Sequence, residues 1–158
     1  MKGRIAPPGD KELQDLLESL TTASRRDDFP LFETKQKALM FAAGLGRRLN
    51  RRKPLKTRDA RSAIRFDIFE KNSDDDFVYA LAVHDSGDLQ VLHPDREEDV
   101  ATTFEEFANA GLQEILRLSS RTGADTFDVM MHLVQEARSS LEVPPDGLDA
   151  DVFKGLLG

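Results

Sequence analysis

The sequence predicts a mainly α-helical fold, a compact bundle of about five helices. Apolar side chains recur at intervals of three and four residues in several segments, which places them on one face of a helix. The chain has 158 residues, of which 39% are hydrophobic, enough for one folded domain with its own core. We expect a flexible lead-in over residues 1–9, a single globular helical domain over 10–141, and a linker with a short amphipathic segment over 142–158.

Two helices are predicted at the start of the domain. Asp10 is a plausible N-cap for a helix over about 10–24. Thr34 can cap a second helix, which is apolar almost all round and should therefore be central and buried. Gly44 and Gly46 lie where this second helix should end. The apolar stripe of the first helix consists of Leu13, Leu16, Leu17 and Leu20.

The region 64–92 has two interpretations. Residues 64–69 alternate apolar and polar side chains, as strands do. Residues 77–83 fit a helix capped by Ser73, and they also fit a strand that pairs with 89–92. Phe, Val and Tyr favour the strand and the alanines favour the helix. We expect the helix and keep a small antiparallel β element within 64–92 as the alternative.

Two long helices are predicted in the second half of the domain. Apolar residues keep helical spacing over about 96–119. Gly111 lies on their stripe, which indicates close approach of another backbone rather than a helix break. Asp125 should open the last long helix, which ends near Ser140. Beyond it, Leu148, Val152, Phe153, Leu156 and Leu157 form a short amphipathic segment.

Composition and motifs exclude several kinds of chemistry. The chain has no cysteine, which removes disulfides, thiolate zinc sites, iron–sulfur clusters and thiol nucleophiles. No apolar run approaches the roughly 20 residues of a membrane-spanning helix, and the first ten residues lack a signal-peptide core, so we expect a cytoplasmic protein without membrane contact. His84, His93 and His132 match no metal-ligand spacing. We therefore expect no catalytic residue, no metal site, no cofactor and no enzyme activity.

The strongest functional signal is a run of positive charge over residues 47–65, the basic strip. Nine cationic side chains and one acid give it +8, which leaves −15 for the rest of a chain of net charge −7. Lys and Arg neutralise phosphates, so the strip predicts weak, sequence-independent binding of DNA. No predicted core position lies in it, so charge reversal there should leave the fold intact. The candidate nucleic-acid-binding residues are Arg47, Arg48, Arg51, Arg52, Lys53, Lys56 and Arg58.

A second interpretation needs no nucleic acid. The strip can pair with the chain's own acids, including Glu97, Glu98 and Asp99, or with an acidic partner. The protein would then be an adaptor or an oligomeric scaffold. Long amphipathic helices with an apolar tail commonly leave a patch to cover, so we expect a homodimer rather than a monomer, with the C-terminal segment in its interface.

Four segments together resemble a known family. They are FETKQKALMFAAGLG (32–46), IRFDIFEKN (64–72), FVYALAVHDSGDLQVL (77–92) and FEEFANAGLQEIL (104–116). Over about residues 29–118 they resemble DNA phosphorothioation-associated protein 4, also called Dnd system-associated protein 4. The last segment is similar to the family pattern F-E-E-Y-A-N-G-G-L, with Phe107 where Tyr is usual and Ala110 where Gly is usual.

The resemblance implies an accessory of bacterial DNA-modification and phage-defence systems. It implies a cytoplasmic location and a defence-system protein or DNA as the partner. It supplies no catalytic residues for this chain. Within its last segment, Phe104, Phe107, Ala108, Leu112 and Ile115 should face the core, and Asn109 should bond to an adjacent turn.

Overall fold

The computed structural model describes residues 3–23 and 29–142. Within them the chain forms six helices and one two-stranded antiparallel sheet, so the predicted mainly α fold is confirmed. Short 3₁₀ turns lie at Ala60–Ser62, Leu89–Leu92 and Pro94–Arg96. In chain order the elements are β1 (Arg4–Ile5), α1 (Lys11–Thr21), α2 (Lys35–Arg48), β2 (Ile64–Arg65), α3 (Phe66–Lys71), α4 (Asp75–Ser86), α5 (Glu97–Thr122) and α6 (Thr126–Glu142).

Helix α5 is the centre of the fold. Its 26 residues contact α1, α2, α4, α6 and β1, and the contact with α2 is the most extensive. The apolar face of α5 is fully buried, including Phe104, Phe107, Leu112 and Ile115. This confirms the core positions expected within its motif. Burying aromatic and aliphatic side chains of this size supplies most of the stability of a small domain.

Two glycines let α2 and α5 cross with their backbones in contact. A Cβ atom added at Gly111 would lie 1.8 Å from the carbonyl oxygen of Ala42, and one added at Gly46 would lie 2.2 Å from that of Phe107. The predicted close approach at Gly111 is confirmed. The expectation that Gly44 and Gly46 end the helix is wrong, because α2 continues to Arg48.

The predicted helix starts have mixed outcomes. Thr34 caps α2, since its Oγ1 accepts a hydrogen bond from the Lys37 amide at 3.2 Å. Asp125 opens α6, accepting one from the Asp128 amide at 3.0 Å. Ser73 does not cap α4: it has a φ of 57° and lies before Asp74, the residue that flanks the helix.

The small antiparallel element exists, but its partner strand differs from the expected one. Strand β2 is only Ile64–Arg65 and pairs with β1 at the start of the chain. The strand-like residues that follow form α3, because a helical turn buries both Phe66 and Phe69. Residues 77–83 lie in α4, and 89–92 form a 3₁₀ turn.

The start of the chain also differs from the expected flexible lead-in. Ile5 is fully buried, and Ala6, Pro7 and Pro8 are buried as well. The amide of Gly9 donates a hydrogen bond to the carbonyl of Thr57 at 2.8 Å. Residues 3–9 therefore pack against the segment that carries the basic strip.

The expected linker and amphipathic segment over 142–158 lie outside the described residues, apart from Glu142 at the end of α6. Within the described ranges, no helix combines the length and the apolar composition that crossing a bilayer requires.

Candidate nucleic-acid interface

The first part of the basic strip is fixed along α5 by hydrogen bonds. The Lys53 amide donates to the carbonyl of Glu106 at 3.1 Å. The Asn109 side chain donates to the carbonyls of Lys53 and Pro54 at 2.9 and 3.3 Å. This confirms that Asn109 bonds to an adjacent turn, and it means that the segment 104–116 helps to position the strip.

Arg52 connects the strip to two helices. Its Nη1 lies 2.6 Å from Asp85 Oδ2 on α4, and its Nη2 lies 2.7 Å from Glu106 Oε2 on α5. The guanidinium also lies over the Phe107 ring, 5.7 Å from its centroid. Burial acts to lower the pKa of Arg52, but hydrogen bonds and ion pairs with Glu106 and Asp85 outweigh it and raise that pKa above its ordinary value.

Two more candidate arginines are ion-paired to α5. Arg58 Nη1 lies 2.8 Å from Oε2 of the buried Glu105, and Arg51 Nη1 lies 3.4 Å from Glu114 Oε2. The pKa of Glu114 is lowered, first by its hydrogen bond from Arg117 and then by nearby positive charges that include Arg51. Three of the seven candidate residues, Arg51, Arg52 and Arg58, are thus paired with the chain's own acids.

Arg47 and Arg48, at the end of α2, contact side chains other than carboxylates. The Arg47 Nε donates to His84 Nδ1 at 3.1 Å. Arg48 Nη2 donates to Ser140 Oγ on α6 at 3.2 Å. In the part of the chain that the structure describes, neither arginine forms an ion pair with a carboxylate.

Lys53 and Lys56 line a cleft of about 850 Å³. The Lys53 ammonium donates to Gln113 Oε1 at 2.9 Å. Lys56 is exposed and forms no hydrogen bond or ion pair with any residue of 3–23 or 29–142. The same cleft is lined by Lys11 and Arg117, which come from outside the strip. The two lysines therefore keep their positive charge at the surface.

Arg65, at the end of the strip, is not one of the seven candidate residues, and it is also paired with an acid. Arg65 Nη2 lies 2.5 Å from Asp67 Oδ2. Asp99, one of the acids expected to face the strip, pairs instead with Arg96, the residue just before α5, at 2.8 Å. The strip does pair with acids of its own chain, but through Asp67, Asp85, Glu105, Glu106 and Glu114.

The role of Glu105 and Glu106 as partners of the strip was not predicted from the sequence. Both belong to the segment 104–116, whose apolar spacing predicts a helix of the core. Glu105 is 1% exposed, although a carboxylate in such a position needs a partner. The sequence did contain a signal for this pairing. Two adjacent acids follow Phe104 in a predicted core helix, and the basic strip is the one concentrated source of arginines that could pair with them.

The other polar clusters have structural partners. His84 accepts hydrogen bonds from Arg47, and His93 Nδ1 accepts one from the Asp95 amide at 3.3 Å. Asp74 pairs with Lys37 at 2.8 Å. Among the described residues, no three or more His, Asp or Glu side chains are grouped so that they could hold a metal ion.

Arg52→Glu is expected to destabilise the protein by about 2 kcal/mol, because it places a carboxylate between Asp85 and Glu106 and removes two charge-assisted hydrogen bonds. This changes the expectation that reversing charge in the strip leaves the fold intact. Urea unfolding followed by circular dichroism measures the loss. Arg61→Glu is the matched control, since Arg61 has no ion-pair partner in the described part of the chain. Equal stability of the two variants would contradict the bridging role of Arg52.

Comparison with known proteins places the chain in a family. No curated protein and no solved structure matches the chain significantly. A sequence profile described as DNA sulphur modification system-associated protein 4 matches residues 4–150, which include all four segments of the resemblance and the whole basic strip. The chain therefore belongs to the family of DNA sulphur modification system-associated protein 4.

Proposed function

We propose that this protein is a non-catalytic accessory of a DNA sulphur modification system, and that it contacts DNA or a DNA-handling complex of that system through the basic strip. The family association supports a place beside DNA-modifying machinery. One structural observation carries the DNA contact. Arg47, Arg48, Lys53 and Lys56 have no acidic partner among the described residues, while a fixed backbone presents them.

Electrostatics allow this contact on an acidic protein. The net charge of −7 repels DNA at long range. At physiological salt the Debye length is about 8 Å, so the acids elsewhere are largely screened from a phosphate that touches the strip. Ammonium and guanidinium contacts to phosphates carry no sequence information. The binding should therefore be weak, independent of sequence and strongly dependent on salt.

The salt dependence gives a quantitative prediction. If the four cations without acidic partners each neutralise one phosphate, log affinity should fall against log salt with a slope of about −3.6. Fluorescence anisotropy with a labelled 20-base-pair duplex, titrated from low salt upward, measures this slope. Lys53→Glu/Lys56→Glu should reduce affinity at least ~10-fold and flatten the slope by about 2, because two phosphate contacts are lost.

A matched control separates local contact from net charge. Lys71→Glu/Arg121→Glu makes the same change in net charge outside the strip, at two exposed positions. It should keep most of the wild-type affinity at moderate salt. Equal losses in the two double variants would contradict contact through Lys53 and Lys56.

A second candidate function is a protein adaptor without direct nucleic-acid contact. The observation that favours it is the internal neutralisation of Arg51, Arg52 and Arg58 by acids on α4 and α5. The remaining cations would then meet an acidic surface of another protein of the system. If the wild type shows no binding to duplex DNA at low salt, the DNA contact is refuted and the adaptor remains.

A further inference from the structure

Helix α6 has apolar side chains on two faces. Its inner face is buried against the core and consists of Val129, Met130 and Leu133. A second group falls within about 80° of arc on another side of the helix, at 100° per residue. This outer face contains Phe127, Met131, Val134 and Leu141, which are 42%, 42%, 40% and 85% exposed. A surface helix normally turns polar residues to water there, so the outer face has the composition of an interface.

The spacing along the outer face indicates what kind of element fits it. The residues in this arc follow one another at intervals of four, three, four and three, and they are Phe127, Met131, Val134, Arg138 and Leu141. This alternation is the heptad seam of a coiled coil, in which each side chain fits between side chains of a facing helix. The seam is about 21 Å long at 1.5 Å per residue. The outer face therefore fits one helix that lies along α6.

We propose that the outer face of α6 binds the α6 helix of a second copy of this chain, in antiparallel orientation. Charge complementarity selects this occupant. Arg138 and Asp128 are exposed on α6, and neither forms an ion pair with any residue of 3–23 or 29–142. A two-fold axis beside His132 and Leu133 sets Arg138 opposite Phe127 of the second copy. There the guanidinium meets an aromatic ring and the carboxylate of the neighbouring Asp128, and the symmetry repeats both contacts.

The same arginine disfavours the parallel orientation. In a parallel pair Arg138 would face Arg138 of the second copy within the seam, where two like charges repel each other. In the antiparallel pair the centre of the seam is apolar, since Met131 faces Val134 of the second copy. One charged residue in a heptad seam lowers stability but fixes orientation, so the dimer should be weak and reversible. This gives the homodimer expected from the sequence an interface within the part of the chain that the structure describes.

Sedimentation velocity of the full chain without DNA, over a wide range of protein concentration, tests the seam. The wild type should shift from monomer toward dimer as concentration rises. Met131→Asp/Val134→Asp places acids of both copies against one another and should weaken association at least ~10-fold. His132→Asp/Ser139→Asp is the matched control, because both positions are exposed and lie about 110–130° around α6 from the seam. The control should associate as the wild type does.

An exchange of charges tests the orientation. Arg138→Glu should weaken association at least ~5-fold, because the new carboxylate faces Asp128 of the second copy. Asp128→Arg/Arg138→Glu should restore it to within ~2-fold of the wild type. The two positions lie about 15 Å apart along one helix, so the restoration requires two chains.

Three results would overturn the proposal, and none of them depends on the proposed contact with DNA. They are a wild type that stays monomeric at every concentration, equal association of the seam variant and its control, and no restoration by the exchanged charges. The first would leave the outer face to another occupant, such as residues 143–158 or a helix of a different protein.

Discussion

Replacing Gly111 by alanine is expected to destabilise the protein by about 3 kcal/mol or more. The new methyl group would lie 1.8 Å from the carbonyl oxygen of Ala42 and 2.6 Å from its carbon. Both atoms are backbone of α2, so no side-chain rotation can relieve the clash. The two helices must separate, and the most extensive contact in the core loosens with them.

Two other glycines turn this into a controlled comparison. Gly46→Ala should also be severe, since its methyl group would meet the carbonyl oxygen of Phe107 at 2.2 Å. Gly44→Ala lies on the same helix but would meet only the Phe77 ring edge, at 3.8 Å. There the better helix propensity of alanine should stabilise the protein by about 0.5–1 kcal/mol.

Urea unfolding followed by far-ultraviolet circular dichroism ranks the three variants. The expected order of stability is Gly44→Ala, wild type, then Gly46→Ala and Gly111→Ala far below. If Gly111→Ala stays within ~1 kcal/mol of the wild type, the backbone contact between α2 and α5 is not as close as described.

These glycines show what the sequence could predict about the fold. Gly111 lies in the middle of a long apolar stripe, so a helix break there was implausible and close packing was the remaining explanation. Gly46 comes near the end of an apolar run and just before a basic one, where a C-terminal glycine is common. Only the position of α5, which crosses at that point, decides that the helix continues to Arg48.

The candidate interface was predictable in composition but not in charge balance. The concentration of Lys and Arg over 47–65 is visible in the sequence. Which of them keep a free charge depends on partners far away in sequence, such as Glu106, 54 residues from Arg52. No local pattern records that pairing. Asn109 was predictable because an amide within a buried stripe must bond to a nearby backbone.

The ordered start of the chain was not predictable for a similar reason. Residues 4–6 are too few to show a strand period, and two prolines follow them. Their structure comes from partners: β2, and the carboxylate of Glu105, which accepts a hydrogen bond from the Ala6 amide at 2.8 Å.

Glu105→Ala is expected to destabilise the protein by about 2–4 kcal/mol. The change leaves the buried Ala6 amide without an acceptor and removes the partner of Arg58. Arg58 can turn into water, because its side chain is 55% exposed, so most of the loss comes from the N-terminal segment. Hydrogen exchange should show weaker protection of the Ala6 amide, and unchanged protection would contradict this account. Glu105→Gln keeps an oxygen for that amide and should stay within ~1 kcal/mol of the wild type near neutral pH.

The pH dependence of stability separates the charge of Glu105 from its hydrogen bond. Burial raises the pKa of this carboxyl above its ordinary value of 4.5, against the opposing effects of the Ala6 amide and Arg58, and nearby Glu106 raises it further. Between 4.5 and the raised pKa the folded protein holds more protons than the unfolded chain, so this group's contribution to stability is fully present below pH 4.5 and falls as the pH rises through the folded pKa. Glu105→Gln cannot titrate. The difference in unfolding free energy between wild type and Glu105→Gln, measured in urea from pH 4 to pH 8, should therefore shift in favour of the glutamine variant as the pH rises. A flat difference would show that Arg58 and the Ala6 amide cancel the effect of burial at this carboxylate, and a shift toward the wild type would show that they outweigh it; either result would contradict the prediction.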